Sequence, residues 1–432
     1  MKRVLILTYY WPPSGGPGVQ RWLKFVKYLP HFGYEPIVLT VDPQKATYPV
    51  LDKSLLIEIP ENLKIYHSST REPYSFYKKL FRKKQVPYSG FANETGNGPI
   101  NAISRFIRGN LFVPDARIGW NRYAISRAIY LIKEYGIETI ITTSPPHSTQ
   151  LAGIEIKNIF PQIRWIADMR DPWTDIYYYD KMLHLPWIKK KDLGYEKKVL
   201  KNADVVITVS DFLQNLFAEK LNDITPKDKI KVITNGFDPD DFKAIKGVRN
   251  ADCFAITYVG TIADNYNLNG FIKAMEYIKT LLGEKLQIHF TGSISPKWKK
   301  ILKTNLKQHI GFNSHVDHPE AIRQMRASDM LLLVVPEIIN NEGIITGKVF
   351  EYLAAGRPIV GIGPVKGDAS AILEKTGSGK MFSYGDHENI SKFVLQFALK
   401  EKEWFPDHDQ IQKFSRKTIT GNLVKLIEKG NT

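Results

Sequence analysis

The chain has 432 residues, 43% hydrophobic and 24% charged, which supplies core for two or three packed domains and excludes a disordered chain. Its single cysteine, Cys253, excludes a disulfide framework or a cysteine-rich metal site and fits a reducing compartment. Lys and Arg number 60 against 44 Asp and Glu, and the net charge of +16 calls for an anionic partner: phosphorylated small molecules, an anionic membrane surface or nucleic acid. After Met-Lys-Arg, Val4–Leu7 is too short an apolar run for a signal peptide, and no stretch approaches membrane-span length. A cytoplasmic enzyme is the expectation, allowing peripheral contact with the inner face of the membrane.

Val4–Thr8 and Pro36–Thr40 read as strands, with an amphipathic helix over Val19–His31 between them. The turn Pro12-Pro-Ser-Gly-Gly-Pro-Gly18 lets backbone approach a ligand at Gly15 and Gly16, and the helix start favours an anion. Its spacing is not G-x-G-x-x-G, which disfavours a nicotinamide cofactor; a tight structural turn is the alternative. Residues 43–118 break the strand–helix rhythm and read as a long excursion from the sheet. Within and beyond it, Tyr74–Lys84, Asn101–Phe112 and Trp187–Lys191 mix aromatic and apolar residues with cations. That mixture suits a membrane interface, with a solvated basic face as the plainer alternative. No nucleic-acid recognition module is visible.

Thr139–Thr143 is the next strand candidate, followed by Ser144-Pro-Pro-His147-Ser148. A histidine among prolines at a strand end is placed for function, or for capping local backbone. Ile163–Ala167 precedes a denser loop, Asp168-Met-Arg170-Asp171-Pro-Trp173-Thr174-Asp175. So many charged groups need partners: either Asp–Arg pairing fixes the loop, or these groups meet sugar hydroxyls and phosphate. Trp173 reads as a stacking platform or as core. Val205–Val209 is a further strand, and Asn235–Asp252 reads as a linker. A second series then begins, with Ala255–Val259, Leu286–Phe290, Met330–Val335 and Pro358–Ile362. Two successive series predict an α/β protein of two doubly wound domains. In the second series a loop from Gly343 runs into a short helix carrying Glu351, which stops at Gly356 before a buried strand. Such a helix start attracts phosphate, and Glu351 suits ribose hydroxyls; an ordinary loop–helix–strand unit is the alternative. No histidines or cysteines stand at metal-ligand spacing, so no metal is expected.

Together these segments resemble the GT-B glycosyltransferases, close to the family-4 retaining group. The resemblance rests on the Pro12–Gly18 turn, Asn202–Ser210, Val232–Asp238, Tyr258-Val-Gly260 and above all Phe350-Glu-Tyr-Leu-Ala-Ala-Gly-Arg-Pro358. Phe112–Arg117 and Ile166–Trp173 are similar to a branch making bacterial surface polysaccharide. It implies two Rossmann-like domains facing a cleft: acceptor-side residues 1–240, donor-binding residues 253–400, and a helical segment 401–432 packing back on the first domain. It also implies transfer from a nucleoside diphosphate sugar to a glycan or lipid-linked acceptor, with retention, without metal or cofactor and without nucleic acid.

On this resemblance Glu351 binds ribose, while backbone at Thr346, Gly347 and Lys348, with Gly15 and Gly16, cradles the diphosphate. His147 contacts the transferred sugar. Lys348 or Arg170 supplies the cation that this chain lacks after Tyr258-Val-Gly260, and Asp168 joins them as a catalytic candidate. Asp171 and Trp173 are assigned to the acceptor. Where the family has a glutamate this chain has Gly343, so either the loop shifts to present Glu342 or the donor sugar is read differently. Base contacts are expected around Asp317–Pro319 and Gly292–Ile294. A GT-B epimerase and a non-catalytic donor-binding homologue are the competing readings.

Overall fold

The computed structural model describes residues 1–72, 99–221 and 227–428. The basic segment Tyr74–Lys84 lies outside them. The chain divides into two compact units, Met1–Thr234 with Ile419–Thr432, and Asn235–Thr418.

The first unit is built on a seven-stranded sheet in the order β3-β2-β1-β4-β5-β6-β7, with every pair parallel. Its strands are β1 (Lys2–Leu7), β2 (Tyr34–Val41), β3 (Lys64–Ser68), β4 (Thr139–Ser144), β5 (Arg164–Met169), β6 (Val205–Thr208) and β7 (Ile230–Val232). Its helices are α1 (Pro17–Tyr28), α2 (Pro99–Leu111), α3 (Asn121–Tyr135), α4 (Ser148–Ile159), α5 (Pro186–Asn202) and α6 (Asp211–Lys220). The central strands are continuous apolar runs because helices cover both faces of a parallel sheet. Side chains alternate between those faces: Leu5, Leu39, Ile140 and Trp165 pack on one, Val4, Ile6, Ile141 and Ile166 on the other.

Two sequence expectations change here. The excursion at 43–118 contributes a strand after all, since β3 pairs with β2 from Ile37↔Lys64 to Val41↔Ser68. It sits at the sheet edge and carries no fully buried residue, so it lacks the apolar signature of its neighbours. In addition, β5 runs to Met169, so Asp168 belongs to the strand and faces Thr143 of β4 in register. The loop begins at Arg170.

The second unit holds a six-stranded parallel sheet, β10-β9-β8-β11-β12-β13. The strands are β8 (Phe254–Val259), β9 (Leu286–Thr291), β10 (Ile310–Asn313), β11 (Met330–Val334), β12 (Ile359–Ile362) and β13 (Gly379–Phe382). The helices are α7 (Pro239–Lys243), α8 (Asn269–Leu282), α9 (Pro296–Leu306), α10 (His318–Ala327), α11 (Gly347–Ala355), α12 (Asp368–Lys375), α13 (His387–Ala398) and α14 (His408–Gln412). The stretch Asn235–Asp252 packs into this unit through Phe237 and Phe242, both buried beside Met325 and Phe350.

A last helix, α15 (Arg416–Glu428), lays Ile419, Leu423, Val424 and Ile427 into the first unit's core beside Trp22 and Val26. Arg164 Nη2 donates to the carbonyl of Leu426 at 2.8 Å, fixing the end of that helix on the first unit. Among the described residues no helix is long and apolar enough to cross a membrane.

Candidate active site

In parallel sheets the loops beyond the strands' carboxyl ends carry ligand chemistry. In the first unit these ends hold a dense polar core. Asp168 is 0% exposed, and Arg21 of α1 reaches it from Nη2 at 3.0 Å. Trp22 Nε1 and Thr143 Oγ1 donate to the same carboxylate at 2.8 and 2.9 Å. Arg21 also donates to the carbonyls of Ile233 and Thr234 at 2.9 and 2.8 Å. A buried charge survives only when paired and hydrogen-bonded, and this one is saturated. Asp168 therefore holds α1 and the end of β7 to the sheet, which corrects the expectation that it meets substrate.

Arg170 bridges two loops instead. Its Nε donates to the Ser144 carbonyl at 3.0 Å and its Nη2 to that of Pro145 at 3.3 Å. The guanidinium lies against Gly18 in the first turn of α1, where a Cβ would stand 1.9 Å from Nη1. Glycine there is a matter of space. The turn itself is partly committed: the Gly15 amide donates to Val50 at 3.0 Å, which removes it from any phosphate cradle. Gly16 makes no such backbone donation among the described residues and caps α1 at φ +111°.

His147 is partly exposed and immediately precedes α4. Its ring stacks on Trp173, centroids 4.8 Å apart, and Nδ1 is buried without a partner. Burial, with Arg170 and Lys220 nearby, pushes its pKa down to about 3, so the imidazole is neutral at physiological pH. Trp173 is 2% exposed and donates from Nε1 to Asp192 Oδ1 at 2.8 Å. It props His147 from the core and offers no platform to an acceptor, a second correction. Behind it, burial raises Asp192 to about 6. Asp171 remains partly exposed; burial raises its carboxyl above the usual range, Arg170 opposing and Asp168 assisting.

The second unit's strand ends are open. Thr346 caps α11 in an extended conformation, makes no side-chain cap bond, and keeps a buried Oγ1 without a partner. The first amides of a helix have no intrahelical acceptor, so this start offers donors to an anion. Lys348, in the first turn, crosses to the end of β8. A Cβ at Gly260 would stand 2.1 Å from Lys348 Cε, and Nζ lies 5.1 Å from the centroid of the Tyr258 ring. Gly260 is thus required both for φ +133° and for the room the lysine occupies. Among the described residues the ammonium pairs with no carboxylate.

One turn further along α11, Glu351 Oε1 lies 3.2 Å from Nε2 of His318, both side chains partly exposed. His318 opens α10, which Asp317 caps through the Glu320 amide at 2.9 Å. A depression of about 380 Å³ beside it is lined by Val316, Asp317, Pro319, Glu320 and Arg323. It coincides with the expected base contacts at 317–319. In the other expected segment, Gly292–Ile294, the Gly292 amide donates to Asn313 at 3.1 Å and the Ser293 carbonyl accepts from Ile262 at 2.8 Å. Glu342 is exposed beside buried Gly343.

The reach of Lys348 over Gly260 and the His318–Glu351 pair were not legible in sequence. A basic position left vacant after Tyr258-Val-Gly260 was the only hint of the first.

Residues 91–241 match the family model described as glycosyltransferase family 4, and residues 253–398 match glycosyl transferases group 1. Both models describe glycosyltransferases, and each covers about a third of the chain. No curated protein matches it. Among solved structures, sucrose-phosphate synthase from Thermosynechococcus elongatus is 13% identical, with 99% of each chain covered and a TM-score of 0.63. Anabaena HepE, solved in complex with UDP, is 12% identical over 99% of this chain and 100% of that one, TM-score 0.62. The lipopolysaccharide outer core galactosyltransferase WaaB is 12% identical over 99% of each chain, TM-score 0.60. These likenesses establish the GT-B fold of this glycosyltransferase.

Proposed function

We propose that the second unit binds a nucleoside diphosphate sugar and that the enzyme transfers the sugar to a hydroxyl of a glycan or lipid-linked acceptor. The base rests at Val316–Arg323, Glu351 takes the ribose in place of His318, and the diphosphate sits at the start of α11. As the anomeric carbon–oxygen bond breaks, charge grows on the diphosphate, and the α11 amides with Lys348 stabilise it. The acceptor oxygen bonds to the anomeric carbon and its proton passes to the departing phosphate. No protein nucleophile is assigned; with the acceptor arriving on the face from which the diphosphate departs, the configuration is retained. The arrangement supplies the leaving-group charge from protein alone, so transfer proceeds without metal.

The observation that carries this reading is the Lys348 ammonium, held against Tyr258 beside a helix start and unpaired among the described residues. In the first unit, Asp171 is assigned to the acceptor, and surface polysaccharide synthesis is the setting. That HepE was solved with UDP and that WaaB is a lipopolysaccharide galactosyltransferase favour this donor and setting.

The test supplies a panel of nucleoside diphosphate sugars with and without a membrane lipid extract and measures nucleoside diphosphate release and glycosylated lipid. Acceptor-dependent release that resists EDTA and is lost in Lys348→Ala is expected. Conversion of a donor to its epimer without acceptor would replace this reading.

A further inference from the structure

Helix α2 leaves large apolar side chains outward: Ile103, Phe106 and Leu111 are 54%, 42% and 71% exposed. Its small residues are the packed ones. Ser104 is fully buried, and Gly109 lies against Met182, where a Cβ would stand 2.4 Å from the carbonyl oxygen. The end of α2 is pinned to the chain before α5: Asn110 Nδ2 donates to Leu183 at 3.1 Å, and Asn110 Oδ1 accepts from the Leu185 amide at 2.7 Å. That junction carries two more outward apolar side chains, Leu183 at 46% and Trp187 at 65% exposed. Isolated exposed apolar residues need no explanation; five gathered on two joined elements do.

The surrounding charge indicates the occupant. Lys190 and Lys191 are exposed in the first turns of α5, and Lys181 is exposed just before it. A soluble protein partner would be met equally well by an apolar patch of either charge, and a second copy would bring like charges together. An anionic bilayer satisfies both features: apolar side chains enter the boundary between headgroups and acyl chains while lysines meet lipid phosphates. We propose that α2 and the Leu183–Lys191 segment form a membrane-docking surface for anionic lipid. It holds the first unit at a bilayer without any spanning segment. It rests on the proposed reading only for its purpose, bringing the enzyme to a lipid-linked acceptor.

The test is co-sedimentation of the full chain with vesicles of phosphatidylcholine alone or mixed with phosphatidylglycerol, at low and high salt. The wild type is expected to pellet with the mixed vesicles at low salt and to stay in solution with phosphatidylcholine. Phe106→Ser with Trp187→Ser, and separately Lys190→Glu with Lys191→Glu, should each lower the partition coefficient by roughly tenfold or more. Leu111→Ser is a milder variant should either pair perturb folding, as checked by circular dichroism. A wild type that stays in the supernatant at low salt overturns the proposal, as do variants that pellet like wild type. So does a concentration-dependent dimer that these substitutions abolish, which would assign the patch to a second copy. Binding of nucleoside diphosphate, measured on the same proteins, fails separately if the transferase reading is at fault.

Discussion

At its strand ends the first unit encloses its charge, whereas the second leaves its charge open. Asp168 and Arg21 are buried and saturated by each other, by Trp22, by Thr143 and by two carbonyls. Among the described residues, Lys348, Thr346 and Glu351 lie around a helix start with an unpaired ammonium, an orphan hydroxyl and a carboxylate shared only with His318. The lesson concerns what charge at a strand end means. Where protein groups satisfy every donor and acceptor, the charge stabilises the fold. Where donors converge without partners, a ligand completes the set.

The largest effect should come from opening the enclosed site. Asp168→Ala leaves the Arg21 guanidinium buried and unpaired, and the first unit should lose about 3–5 kcal/mol. Urea unfolding followed in the full chain should show the first unit's transition moving to lower denaturant, with the second unit's transition unchanged. Little change in either would mean that water reaches the Asp168 site.

Lys348→Ala should do the reverse, leaving both transitions in place while kcat falls by roughly 10²–10³, in line with losing one donor to developing charge. An unaltered kcat would leave leaving-group stabilisation to the α11 amides alone. Glu351→Ala should weaken donor binding by about ten- to a hundredfold, as expected for hydrogen bonds to a charged group. The nucleoside alone should be weakened as much as the diphosphate, because the carboxylate addresses ribose.

The smallest effect at neutral pH belongs to His147. The unfolded chain takes up this proton near the ordinary histidine value of about 6.5, and the folded chain only near 3. Between those values the unfolded state holds more protons, so stability falls as pH drops below about 6.5. His147→Asn should flatten that part of the pH–stability curve of the first unit and leave it unchanged above pH 7. A curve that stays as steep assigns the slope to another group lowered by burial, His184 first, because the raised carboxyl of Asp192 tilts the curve the opposite way.

Long apolar runs made much of the fold legible. β1, β2, β4, β5, β6, β11 and β12 are buried along most of their length and announce themselves, and β8 and β9 carry enough apolar residues to follow. β3, β7 and β10 do not, being short or at sheet edges with half-buried residues. Helix α11 was legible because a Gly-Lys start, a carboxylate one turn on and the Gly356 stop are all local in sequence. The role of Asp168 was not. Its partner Arg21 lies 147 residues away and is brought to it by α1 crossing the sheet, a contact that no local pattern encodes. Trp173 misled for a related reason, since an indole beside charges looks available until its N–H is found on Asp192.

Isothermal titration of nucleoside diphosphates, and of the corresponding nucleosides, into wild type and Lys348→Ala tests the open site most directly. The account predicts that one nucleoside diphosphate binds the wild type more tightly than its nucleoside, and that Lys348→Ala removes most of that advantage while leaving nucleoside binding intact. Equal affinity of the two proteins for the diphosphate, or no binding of any nucleoside diphosphate to the wild type, would contradict it.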